Sequence, residues 1–169
     1  MAVTDLEALW AGPFGDVYTE RNRKAGTGRQ EFWTGMYART RARTWLEVGC
    51  NVGGNLRCLP RGGLFGIDLN CSALAAAKKV VPGHVAAASA SALPFDRESF
   101  DLVFTCGVLI HIDRDKLAGV LSEVARVAQR FVLLMEYESP EERVIPWRDQ
   151  AAALWKASYS RMFHEQNTA

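Results

Sequence analysis

Trp45-Leu46-Glu47-Val48-Gly49-Cys50-Asn51-Val52-Gly53-Gly54-Asn55 is an apolar run that passes into E-x-G-x-x-x-G. Its first part, Thr44 to Val48, predicts a buried strand, and the glycines predict a sharp turn into a helix over Asn55 to Leu59. Glycine suits such a turn because it tolerates positive φ and lets another group approach closer than a Cβ permits.

Working outward, short β-rich runs alternate with helical ones, the pattern of βαβ units and a parallel sheet. Strands are predicted at Gly63 to Ile67, ending at Asp68, then at His84 to Ala88, Phe100 to Thr105 and Phe131 to Tyr137. Between them, Ser72 is expected to cap an Ala-rich helix over Ala73 to Val80 that Pro82 and Gly83 terminate. A second helix, Arg114 to Ala128, carries Leu117, Val120, Leu121, Val124 and Val127 on one face. The tail from Trp147 to Phe163 reads as helical. Residues 1–43, with Trp10, Phe14, Tyr18, Phe32, Trp33 and Tyr37 among many charges, read as an amphipathic helical cap over the strand ends.

The expected fold is therefore an α/β, Rossmann-like, doubly wound parallel sheet in one domain spanning 1–169. Residues 1–43 would form a lid, 44–137 the sheet core and 138–169 a C-terminal helix, with no hairpin closing the sheet. An unclosed fifth strand would leave an exposed edge, to be covered by the final helix or by a homodimer contact.

With 169 residues, 49% of them hydrophobic and 23% charged, the composition is that of an ordinary globular domain. Twenty basic side chains balance nineteen acidic ones. That balance gives no global field for extended nucleic acid and favours a small-molecule partner. The longest apolar runs fall short of a membrane span, and a cytoplasmic protein is expected. Cys50, Cys58, Cys71 and Cys106 lack metal-ligand or dithiol spacing, so no metal is expected and the thiols are read as reduced.

Dinucleotide sites use G-x-G-x-x-G to seat a pyrophosphate at a helix N-terminus, but Asn51 stands where the second glycine would be. Glu47 points the same way. A carboxylate beside the turn repels pyrophosphate and can orient an ammonium or sulfonium-bearing chain, the charges of S-adenosylmethionine. Asp68, 21 residues after Glu47, can accept from both ribose hydroxyls at the end of the second strand. Without a ligand, the same residues would read as a tight turn and a helix cap.

From Trp45 to Tyr137 the chain resembles class I methyltransferases. Ser89-Ala90-Ser91-Ala92-Leu93-Pro94-Phe95 and Ser99-Phe100-Asp101-Leu102-Val103 are similar to that family's D-A-x-x-L-P-F and S-F-D-x-V stretches. The family carries an acidic residue near the adenine amino group where this chain has Ser89, with the Ala90 backbone still available. The resemblance implies S-adenosylmethionine as cofactor, contacted by Tyr18, Arg21, Glu47, Gly49, Cys50, Asn51, Gly53, Asn55, Asp68, Leu69, Ser89, Ala90 and Cys106. Phe14 to Asn22, Gly107 to Ile112, Glu136-Tyr137 and Ile145-Pro146-Trp147-Arg148 resemble the pseudaminic acid biosynthesis-associated methylases more narrowly, over roughly the first 156 residues.

Methyl transfer needs a positioned acceptor and, where a proton leaves, one base. His111, just past the fourth strand, is the first candidate base, its other reading being a histidine that packs and hydrogen-bonds nearby. Glu136, ending the fifth strand, is the second, its other reading being a salt bridge. Tyr18, Arg21 and Asn22 can form a lid over a carboxylate or instead a solvated helix face. Asn22, Tyr137 and Arg148 are the candidate acceptor contacts. The expected activity is methylation of N or O on a small polar acceptor such as an amino sugar. The rivals are a nucleic-acid or protein methyltransferase and a noncatalytic cofactor-binding module.

Overall fold

A computed structural model describes residues 5–23, 28–60, 62–147 and 150–167. Three helices precede the sheet: α1 (Leu6–Ala11), α2 (Pro13–Arg21) and α3 (Gln30–Thr40). Asp5 caps α1 by accepting from the Glu7 and Ala8 N–H groups, and Pro13 opens α2 where no donor is needed. The strands are β1 (Thr44–Val48), β2 (Gly63–Asp68), β3 (His84–Ala87), β4 (Phe100–Cys106) and β5 (Ala128–Met135), with α4 (Cys71–Ala77) and α5 (Leu117–Val127) as crossovers.

All five strands run parallel, in the order β3-β2-β1-β4-β5. The chain moves outward one way from β1 and then the other way from β4. The carboxyl ends of β1 and β4 therefore open the crevice where such sheets bind ligands. One face buries Leu46, Val48, Ile67 and Val103 against Leu117, Val120, Leu121 and Val124 of α5. The other buries Trp45, Leu64, Leu102 and Phe104 against Trp33 of α3 and Leu74 of α4.

The sheet matches its sequence expectation closely, and four local expectations are corrected. Asn70, not Ser72, caps α4, because its Oδ1 accepts from the Ala73 N–H at 2.8 Å. The helix expected after the glycine turn is a single 3₁₀ turn, Leu56–Cys58. The continuous C-terminal helix does not exist. Residues 143–156 form a hairpin of β6 (Arg143–Trp147) and β7 (Gln150–Lys156), and only α6 (Tyr159–Asn167) is helical. Its two strands were hard to see because Pro146 interrupts one, where the register shifts, and an alanine run disguises the other. A hairpin is therefore present where a helix was expected, although it does not close the parallel sheet.

The hairpin nevertheless forms its own two-stranded sheet, linked to the segment after β5 by an isolated bridge between Glu138 and Ala157. It lies over the 3₁₀ turn Leu109–His111, with Leu154 and Ala157 buried in the core beneath. Helix α6 packs on α5. Among the described residues, the outer edge of β5 has no ladder partner.

Candidate active site

The cleft starts from the backbone after β1. Gly49 and Gly53 take φ of +74° and Asn51 takes +45°, so the chain bends sharply through the left-handed region. A Cβ on Gly49 would lie 2.4 Å from Val108 Cγ2 in the turn after β4. The two walls of the cleft therefore touch because residue 49 has no side chain. A Cβ on Gly107, φ +65°, would meet nothing within 4 Å and would project into open space. Gly53 behaves differently: its missing Cβ faces Val81 and Ala77, so it serves packing behind the cleft.

Asp68 at the end of β2 organises the inner part. The Asn51 N–H donates to its Oδ2 at 2.8 Å and the Asn70 N–H to its Oδ1 at 2.9 Å. Burial raises its pKa, and those backbone donors offset part of the rise. Each oxygen still has acceptor capacity for a hydroxyl. Around it, Leu69, Ala90, Ile67, Leu6, Trp10 and Glu7 line an inner pocket of about 130 Å³.

Glu7 was not foreseen. Ser89 donates its hydroxyl to Glu7 Oε1 at 2.5 Å, and Ser91 donates to the same oxygen at 3.4 Å. Thus α1 brings a carboxylate to the position where Ser89 lacks one. Nothing local could have signalled this across 82 residues.

Asn70 was missed too, and it fastens the lid. Its side-chain N–H groups donate to Asp16 Oδ1 at 3.0 Å and to the Trp10 carbonyl at 3.3 Å, while its Oδ1 accepts from Thr19 at 3.4 Å. Gly15 permits the fit, since a Cβ there would lie 1.8 Å from the Trp10 carbonyl oxygen. The Trp10 ring then stacks edge-on with Phe14 and Tyr18, and its centroid lies 4.5 Å from that of His111.

Past Gly49, Cys106 and His111 the cleft widens into an outer chamber of about 670 Å³. Asn22, Arg29, Tyr137, Ile145, Leu154 and Lys156 line it, with Glu47 and Glu136 at its base. Glu47 is 2% exposed. The Asn55 amide donates to its Oε1 at 2.6 Å, while Oε2 has no hydrogen-bond partner. Burial pushes its pKa up to about 8, and the Asn55 amide and the nearby Leu56 N–H offset only part of that. Burial also drives the Cys50 and Cys106 thiols upward, so neither is poised as a thiolate.

Among the two proposed bases, only His111 faces both parts of the cleft. Glu136 accepts from the Val108 N–H at 3.1 Å, and the Leu109 and Ile110 N–H groups also favour its charge while burial raises its pKa. It thus caps the turn that carries His111, and no salt bridge involves it among the described residues. Of the lid residues, Tyr18 and Asn22 reach the cleft, whereas Arg21 turns back to the Val17 carbonyl at 3.3 Å. Tyr137 is 60% exposed beside Lys156. Arg148 lies outside the described residues.

The sequence matches the model of a known family, the methyltransferase domain (Methyltransf_11), over residues 46–133. The chain belongs to that family. Such membership makes it a methyltransferase that uses S-adenosylmethionine.

No curated protein matches the chain. Among solved structures, it is similar to a putative methyltransferase in complex with the Trm112 methyltransferase activator of Haloferax volcanii, at 19% identity and TM-score 0.65, over 98% of this chain and 77% of that one. It is also similar to the [4+2]-cyclase SpnF, at 16% and 0.62, over 83% and 57%. The sugar N-methyltransferase KedS8 of Streptoalloteichus sp. ATCC 53650 matches at 22% and 0.60, over 79% and 60%. The methyltransferase thus spans 57–77% of the length of these structures, and at such identities the likeness speaks for the fold. No helix of the described residues is long and apolar enough to cross a membrane.

Proposed function

We propose that this methyltransferase moves a methyl group from S-adenosylmethionine to nitrogen or oxygen of a small polar acceptor, such as an amino sugar. The observation that carries the reading is the meeting of two differently built spaces at Gly49, Cys106, Gly107 and His111. The inner one suits a nucleoside, and the outer one has room for a second reactant.

The residues fit the cofactor. Asp68 accepts from the ribose hydroxyls, Ala90 and Leu69 flank the base, and Glu7 offers an acceptor to its amino group. The orphaned oxygen of Glu47 suits an ammonium, and the open space over Gly107 leaves room for the chain joining nucleoside and amino acid. Bound there, the cofactor supplies an electrophilic methyl group on a sulfonium. His111 takes the proton that the acceptor releases, and Glu136 holds the His111 turn in place through its backbone. Asn22 and Tyr137, which line the outer chamber, contact the acceptor.

The near-even charge favours a small acceptor over a nucleic acid or protein. KedS8, a sugar N-methyltransferase of the same fold, and the resemblance to pseudaminic acid-associated methylases both lend the amino sugar weight. Helices α1 and α2 act as lid to a single unit, free thiols suit the cytoplasm, and the β5 edge, unpaired among the described residues, is the surface for a homodimer.

The test joins calorimetry with a labelled-methyl assay against a panel of amino sugars and small metabolites. Adenosylhomocysteine is expected to bind and at least one acceptor to gain label. Preference for a phosphorylated coenzyme, or tight cofactor binding with no acceptor ever labelled, defeats the proposal.

A further inference from the structure

The hairpin has two faces, and one of them is unbalanced in charge. Its ladder sets Arg143 opposite Lys156, Val144 opposite Trp155 and Ile145 opposite Leu154. Opposed residues of an antiparallel pair point to the same side, and side chains alternate along each strand. Arg143, Ile145, Leu154 and Lys156 therefore share one face, and Val144 and Trp155 share the other. Leu154 is buried in the core while Val144 is 44% exposed, which tells the inward face from the outward one. Ile145, Leu154 and Lys156 line the outer chamber. The inward face thus ends, past its apolar pair, in two cations set directly against each other.

Like charges opposed across a ladder repel, and an anion placed between them turns the repulsion into attraction. The protein supplies little of that anion. Glu141 meets Arg143 at 2.8 Å, but their side chains are 73% and 65% exposed, so the pair is weak. Among the described residues Lys156 has no ion pair, and its ammonium lies beside the Tyr137 ring, 5.7 Å from the centroid. The acids that line the chamber, Glu47 and Glu136, are withdrawn at its base, where burial pushes both toward the protonated form. Arg29, at the N-terminal end of α3, adds a further cation to the lining and has no carboxylate partner among the described residues.

We propose that Arg143 and Lys156 bind an acid group, carboxylate or phosphate, carried by the methyl acceptor. The proposal rests on the reading of the outer chamber as the place of the acceptor, and it narrows that acceptor to an anionic one. The hairpin lies on the Leu109–His111 turn. An acceptor held by its acid group at the cation pair therefore extends over that turn toward His111. Tyr137, 60% exposed beside the ammonium, offers its ring face to the carbon skeleton between the two ends.

Three probes that differ in one substituent test the proposal: glucosamine, 2-amino-2-deoxyglucuronic acid and glucosamine 6-phosphate. Each is titrated by calorimetry at low salt into the full chain saturated with adenosylhomocysteine, as wild type and as Arg143→Gln/Lys156→Gln. At least one anionic probe should bind the wild type about tenfold tighter than glucosamine, and the better of the two separates carboxylate from phosphate. The double variant should bring that preference down to within about twofold, with the affinities for adenosylhomocysteine and glucosamine changed by less than about twofold. Because the exchange removes two opposed like charges, the thermal midpoint should not fall, which separates lost recognition from lost folding.

Equal binding of charged and neutral probes to the wild type, binding of none of them, or a preference that survives in the double variant overturns the proposal. If a neutral amino sugar is methylated while no anionic probe is preferred, methyl transfer stands and the acid-group site falls. If the wild type does not bind adenosylhomocysteine, the cofactor reading fails first and takes this proposal with it.

Discussion

At the inner end of the cleft, Gly49, Asn51 and Asp68 all belong to the paired β1 and β2 and the turn between them, and the Asn51 N–H donates to the Asp68 carboxylate. The outer chamber instead draws Asn22, Arg29, Tyr137 and Lys156 from the lid, the β5 exit and the hairpin. Asp68 receives two main-chain donors, whereas Tyr137 is mostly exposed and meets Lys156 at a ring distance of 5.7 Å. On the proposed function, the contrast separates a part that must fit one unvarying ligand from a part that has to suit a particular acceptor. Rigid positioning comes from the main chain, and choice of partner comes from side chains on peripheral segments.

Breaking the inner end should have the largest effect. Asp68→Ala is expected to weaken adenosylhomocysteine at least about 100-fold by calorimetry, since the proposed ribose contacts and the tie to Asn51 go together. A loss under threefold would mean that the inner pocket is not the nucleoside site. Next comes the lid. Gly15→Ala puts a Cβ onto the Trp10 carbonyl, so the α1–α2 elbow must open. Affinity should fall by about tenfold with roughly 1–3 kcal/mol of stability lost in chemical denaturation. Unaltered affinity would show that the lid is not part of the cofactor site.

Glu47 sharpens the comparison through pH. Its pKa rises from 4.5 to about 8 on burial, so the folded state favours the protonated form. The sign follows: this contribution is fully present below 4.5 and is lost as pH climbs through 8. Asp68 and Glu136 shift in the same direction. Thermal midpoints of the ligand-free protein should therefore fall over that interval, with a shallower fall in Glu47→Gln. Identical slopes in the two proteins would remove Glu47 as the source. The smallest effect belongs to the periphery. Lys156→Ala should raise the acceptor KM by about threefold and leave adenosylhomocysteine affinity unchanged. A change in cofactor affinity would erase the distinction between the two ends.

The same contrast explains what was legible in the sequence. The strands and the Gly49 to Asp68 unit are written in contiguous residues whose periodicity and turn chemistry suffice to find them. Glu7, Asn70 and Arg29 reach the cleft through contacts 82, 54 and 26 residues away in the chain, and no local pattern announces such meetings. Asn70 was overshadowed by Ser72, a good cap two residues on, and only the geometry decides between them. The hairpin was hidden by Pro146 and by alanines that favour helices in isolation. His111 and Glu136 were found by their places after β4 and β5, yet their different partners emerge only from the turn they share.

Because the hairpin shares no ladder with β5, exchanging its sequence leaves the hydrogen bonds of the parallel sheet intact. Natural variation or laboratory recombination can therefore redraw its exposed positions, such as Val144, while Leu154 stays in place to fill the core. On the proposed function, the choice of acceptor can then shift along this peripheral segment while the Asn51–Asp68 contact at the other end of the cleft stays as it is.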